Sequence, residues 1–145
     1  MSERSERAVL YTENSFNCAQ SVFAAFAEEH GIDEEIALRV AGGFGGGMRR
    51  GEVCGAASGG VMVIGAAKGH SVPGDNGAKQ DCAARTSAFM AEFERRNGCL
   101  TCRGLLGVDT STPEGAEAFV KERMFQTKCR GYITGAAELL EELGY

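Results

Sequence analysis

Apolar residues recur at three- and four-residue steps through most of this 145-residue chain, and no segment alternates apolar with polar at period two. That pattern commits the chain to helices. Between Ser15 and His30, Phe16, Ala19, Val22, Phe23, Phe26 and Ala27 form one stripe, with Asn14 or Ser15 placed to cap it and Gly31 to end it. Asp33 opens a second, short helix carrying Ile36, Ala37 and Val40, with Ile32 ahead of it for a hydrophobic staple. From Gly51 to Lys68 the run of Ala, Val, Met and Ile without polar relief predicts a helix buried on nearly all sides, although Val61–Ile64 alone would also suit a strand. Gly55, Gly59 and Gly60 within it would let another helix approach closely. Cys82, Thr86, Phe89, Met90 and Phe93 predict a helix over 78–96, closed by Asn97-Gly98. A short turn over 101–106, a helix from Thr112-Pro113 to about Gln126, and a last one over 131–143 complete the pattern. The expected fold is all-α, an irregular bundle of five to six helices in a single domain spanning 1–145.

A chain of this length buries roughly 68–70% of its unfolded surface, enough for a core without disulfide staples, which leaves its six cysteines free for chemistry. Fifteen Lys and Arg against twenty Asp and Glu give a net charge of −5, and no basic run exceeds two residues, so no nucleic-acid partner is expected. The first seven residues lack an apolar stretch, and the longest apolar run, Val61–Ala67, is too short to span a bilayer. These features predict a cytoplasmic protein without membrane insertion, where cysteines serve metal binding or redox work more than static disulfides. The residues name no redox partner, and homo-oligomer formation stays open.

The cysteines stand at 18, 54, 82, 99, 102 and 129. Five of them fall at predicted helix starts: Cys18 after Asn14/Ser15, Cys54 after Gly51, Cys99 and Cys102 around Thr101, and Cys129 after Thr127. The positive end of a helix stabilises a thiolate and lowers a thiol pKa from about 8.5 toward 3.5–7.5. Cys82, in mid-helix on the apolar face, is expected in the core. Cys99-Leu-Thr-Cys102 is a C-x-x-C, a spacing that closes a disulfide or grips a metal ion, but it lacks both the strand of a thioredoxin-like unit and the second ligand pair of a zinc finger. Gly42–Gly51, with six glycines in ten positions, predicts a loop. Arg49 and Arg50 there invite a phosphate-binding reading, yet no dinucleotide or P-loop register fits, so the glycines are expected to fold the loop tightly over the cysteines. His30, His70 and the Glu138/Glu141/Glu142 cluster read as solvated.

Taken in order, Asn17-Cys18-Ala-Gln20, Gly42–Gly47 leading into Val53-Cys54-Gly-Ala-Ala-Ser-Gly-Gly60, Cys102-Arg-Gly-Leu-Leu-Gly107, and Cys129 ahead of the last helix resemble the CGAxxG (C_GCAxxG_C_C) family of redox-active proteins. The resemblance implies that Cys18, Cys54, Cys102 and Cys129 are the family's four cysteines, with Gly55, Ala56 and Gly59 completing the central motif as the positions beside a cofactor. Cys82 and Cys99 fall outside it, and Gly104 stands where such proteins tend to carry a larger, often acidic residue. Four cysteines match the ligand count of a cluster or a tetrahedral metal. The leading expectation is one site holding an iron-sulfur cluster or transition metal for electron transfer, its sulfurs within about 8 Å of a common centre. The alternatives are a thiol-disulfide oxidoreductase using Cys99/Cys102 with Cys54 or Cys129 resolving, a non-catalytic soft-metal-binding module, and a bundle with inert thiols.

Overall fold

In a computed structural model that describes residues 1–145, the chain forms eight α-helices and one isolated β-bridge. They are α1 (Glu3–Glu13), α2 (Cys18–Ala27), α3 (Glu34–Val40), α4 (Gly55–Lys68), α5 (Asn76–Asn97), α6 (Cys102–Leu106), α7 (Pro113–Lys121) and α8 (Arg130–Glu142). The architecture is the expected irregular all-α bundle, with more helices than the five to six predicted. Short polar side chains set most of the starts, each accepting a backbone N–H in the first turn: Asp33 from Ile36, Asp75 from Ala78, Thr101 from Gly104 and Thr112 from Gly115.

The unpredicted helix is α1. Its buried face is Ser5, Ala8 and Thr12, which makes no apolar stripe. It is held instead by polar contacts: Arg4 pairs with Glu29 and stacks 5.3 Å over the Phe26 ring, and Arg7 donates to the Ala25 carbonyl at 2.8 Å. At α2 the cap is Asn17, not Asn14 or Ser15, and Ser15 instead takes a left-handed φ of 69° in the turn before it. On α3 only Ala37 is buried, while Ile36 and Val40 face out.

The centre of the bundle is the crossing of α2 and α4. Both carry small residues at the crossing, and a methyl added at Gly59 would stand 2.7 Å from the Ala19 carbonyl oxygen. No side-chain layer separates the two backbones there. On the other side of α4, Phe89 of α5 fills the space that a side chain at Gly60 would need. Phe26, Ile64, Phe93, Ile133 and Leu140 complete a core shared by α2, α4, α5 and α8. No helix is long and apolar enough to cross a membrane.

Candidate functional site

Each of four cysteines is delivered by a different part of this frame. Cys18 is the first residue of α2, fixed by a capping box in which Asn17 accepts from the Gln20 amide and Gln20 accepts from the Asn17 amide, both at 2.9 Å. Cys54 is the N-cap residue of α4, and Cys102 the first residue of α6. Cys129 departs from the expected helix start: it ends a π-turn, Phe125–Cys129, that runs without a break into α8. Thr127 caps nothing, because its hydroxyl donates to the Arg123 carbonyl.

The β-bridge ties two of these segments together. Val53 faces Thr101, the Cys54 amide donates to Leu100 at 2.8 Å, and the Cys102 amide donates to Glu52 at 2.6 Å. By the alternation of extended backbone, Cys54 and Cys102 fall on one side of the bridge, with Val53 and Thr101 on the other. Cys18, Cys54, Cys102 and Cys129 all line one cavity of about 360 Å³. Its remaining wall is largely apolar, from Leu105 and Leu106 of α6, Phe119 and Val120 of α7, and Phe125. Phe119 and Phe125 meet edge to face with ring centroids 6.5 Å apart.

The glycine segment closes over Cys18, as expected. Gly45 presses so closely on the α2 cap that a methyl there would lie 2.8 Å from the Asn17 Cβ, and a methyl at Gly55 would overlap the Cys18 sulfur. The segment is not a featureless loop. After a 3-10 turn at Ala41–Gly43, residues Gly46, Gly47, Met48 and Arg49 all take positive φ, a left-handed turn that two non-glycine residues enter at a cost of about 1–3 kcal/mol each. It brings Arg49, which lies alongside Gly46, to the wall of the cavity.

The thiols do not behave as helix-start placement alone predicts. Burial pushes all four up, and neighbouring thiols raise three of them further: Cys54 reaches about 12, with Cys18 and Cys102 adding to the burial effect, Cys102 is raised by burial and then by Cys18, and Cys129 by burial and then by Cys18, Cys54 and Cys102. The backbone amides of Gly46, Ala19, Cys18 and Gly55 act against this at Cys18, and the Thr110 hydroxyl does so at Cys102. Desolvation outweighs the helix ends, so these are thiols at neutral pH. Cys99 is the reverse case. Its pKa is lowered, chiefly by the Thr101 hydroxyl 3.4 Å from its sulfur.

Cys99 lies outside the cavity, with its sulfur in the space a side chain at Gly104 would take. The two positions that stood apart in the sequence are therefore in contact. Cys82 is half-buried on the first half of α5, away from the core expected for it, because α5 buries only Phe89 and Phe93. Of the central motif, Gly55 lines the cavity, whereas Ala56 and Gly59 are packed inside the bundle. His30 is not simply solvated: its Nε2 is buried without a partner. Thr110 and Tyr132 line the cavity without having been singled out by any spacing; the Tyr132 hydroxyl donates to the Leu105 carbonyl at 3.2 Å. All six cysteines are free, and no three His, Cys, Asp or Glu side chains form a group that could hold a metal ion.

No curated protein and no solved structure matches the chain. A family model described as "Putative redox-active protein (C_GCAxxG_C_C)" matches residues 16–143, a span that holds all four cavity cysteines. The chain belongs to the C_GCAxxG_C_C family.

Proposed function

We propose that Cys18, Cys54, Cys102 and Cys129 form one redox site that works by thiol-disulfide exchange, with Cys18 and Cys54 as the reacting pair. The observation that carries this reading is that four cysteines from four separate segments line one cavity. Cys18 is the attacking thiol, because it opens α2 and its sulfur lies against Gly55 at the start of α4, so that two helix N-terminal ends would stabilise the thiolate as it forms. Cys54 is the resolving thiol, since the Cys18 sulfur lies against Gly55, the residue that follows Cys54, and both cysteines line the cavity. Oxidation removes two electrons and two protons from the pair, and an external disulfide that takes them up leaves as two thiols. A variant of this reading with Cys99/Cys102 as the pair is less supported, because Cys99 lies outside the cavity.

An iron-sulfur cluster or soft metal on the same four cysteines is the second reading. The all-thiol donor set favours it, and the lack of a metal-holding group of side chains opposes it. One experiment separates the two. Anaerobically purified protein is analysed for iron, sulfide and zinc and for a visible spectrum, then titrated with oxidised dithiothreitol and peptide-mapped. The exchange reading expects no stoichiometric metal, two thiols lost, and a Cys18–Cys54 linkage. Stoichiometric metal with no linkage among the four would overturn it.

A further inference from the structure

We infer that the cavity takes a small organic anion, an apolar body whose charged end is received by Arg49. The inference rests on the thiol-exchange reading and names its substrate class as a small anionic disulfide.

Three observations point the same way. First, Arg49 is the one arginine that lines the cavity, and like Arg39, Arg50 and Arg123 it makes no ion pair, whereas the other seven arginines of this negatively charged chain are paired. Glu52, three residues on, is already taken by Arg103 at 2.8 Å. Second, the backbone is strained to put Arg49 there: with Met48 it enters the left-handed region where glycine is at ease, directly after Gly46 and Gly47, which are in that region too. Third, α2 and α4 direct their N-terminal ends at the cavity through Cys18 and Gly55, adding positive potential from two full-length helices. The opposing charge is Asp109, which acts on Cys102. It is not part of the wall, and its carboxylate is held by the Ser111 amide and hydroxyl.

The rest of the wall sets the body of the ligand. Leu105, Leu106, Phe119 and Phe125 suit an apolar or aromatic group, and about 360 Å³ lies in the range of small-molecule sites and is far more than a bare ion needs. In the reaction, the Cys18 thiolate attacks one sulfur of the bound disulfide, forming a mixed disulfide. The departing thiolate takes the proton that Cys18 gave up. The Cys54 thiolate then attacks the Cys18 sulfur, closing Cys18–Cys54 and releasing the second half of the ligand, which takes the Cys54 proton.

The test uses the full chain with Cys82→Ser and Cys99→Ser, so that only the cavity thiols report. Two aromatic disulfides are compared at low salt: 5,5′-dithiobis(2-nitrobenzoate), which carries two carboxylates, and neutral 4,4′-dithiodipyridine. Arg49→Gly removes the charge while relieving the backbone, Arg49→Lys keeps the charge, and Met48→Gly relieves the backbone alone. Arg49→Gly should slow the anionic reagent about fivefold, the worth of one partly exposed charge pair, and leave the neutral reagent unchanged. Arg49→Lys and Met48→Gly should leave both rates near the parent's. Equal slowing of both reagents by Arg49→Gly, or no change with either, overturns the anion inference and spares the exchange reading. If neither reagent reaches the cavity thiols, the exchange reading fails and the anion inference with it.

Discussion

Replacing Gly59 with alanine tests the crossing on which the site depends. The new methyl would stand 2.7 Å from the Ala19 carbonyl oxygen, 3.1 Å from the Ala19 Cα and 3.2 Å from the Val22 Cβ. Ala19 and Val22 are fully buried, and two of the three contacts are to backbone, so α2 itself must move. Overpacking of this kind costs about 1–3 kcal/mol, and contact with backbone puts Gly59 at the upper end. The better helix propensity of alanine returns about 1 kcal/mol, for a net loss of about 1–2 kcal/mol. Gly65 supplies the control: it lies on the same helix, is exposed, and has nothing within 4 Å of an added methyl. Gly65→Ala should therefore gain about 1 kcal/mol from the same chemical change. In urea the two midpoints should move in opposite directions at constant slope, and on heating each kcal/mol should appear as about 2–4 °C. A Gly59→Ala protein as stable as the Gly65→Ala protein would refute the close approach of α2 and α4. It would also remove the reason for Cys18 and Cys54 to share a cavity, so the yield of the Cys18–Cys54 linkage is a second readout of the same variant.

Stability should fall in alkali. The folded state holds Cys54 protonated up to about 12, so its contribution is complete below the ordinary thiol pKa of 9.0 and is lost as pH rises from there toward 12. At about 1.36 kcal/mol per pH unit this amounts to at most about 4 kcal/mol, and Cys54→Ala should flatten the decline in urea midpoints between pH 8 and 11. Iodoacetamide at neutral pH should modify Cys99 before any cavity cysteine, because its pKa alone is lowered; Cys54 appearing first in peptide maps would contradict the burial argument. Thr101→Val should slow that reaction at Cys99 and also cost about 1 kcal/mol as a lost helix cap. Met48→Gly should stabilise the protein by about 1 kcal/mol or more through relief of its positive φ, read as a rise in melting temperature.

Where a helix opens on a capping side chain, as at Asp33, Thr101 and Thr112-Pro113, the residues alone locate its start, although the last of these helices ends at Lys121 and not near Gln126. Local signals fail where the decisive partner is remote. α1 is held by Glu29 and Phe26, which no window around residues 3–13 contains. Thr127 has the chemistry of a cap, but the π-turn absorbs it into a continuous helix, so Cys129 loses its helix-start setting. The thiol pKa values are out of reach of the sequence for a related reason: the helix ends are a local property, whereas burial and the three neighbouring sulfurs exist only after the chain has closed. Gly55 and Gly59 carry the most information, since glycines spaced four apart in an apolar helix require a close neighbour. That the neighbour is the helix carrying Cys18 became visible only in the fold. Tyr132 and Thr110 are single residues of common type, and nothing in their spacing could have drawn them to the cavity.

α7 forms part of the cavity wall through Phe119 and Val120, yet Gly115 is its only buried residue, and Val120 is 75% exposed. It is flanked by two residues of positive φ, Gly107 and Arg123, and its main anchor is Phe119, packed against Phe125 and the small cluster of Cys102, Leu106 and Met124. Such an element can detach at a fraction of the free energy that unfolds the bundle. Amide exchange over Pro113–Lys121 should accordingly run ahead of exchange in α2. The rate at which reagents find the cavity cysteines then becomes the product of an opening equilibrium and an intrinsic reactivity, so that low concentrations of urea, too weak to unfold the core, should speed it.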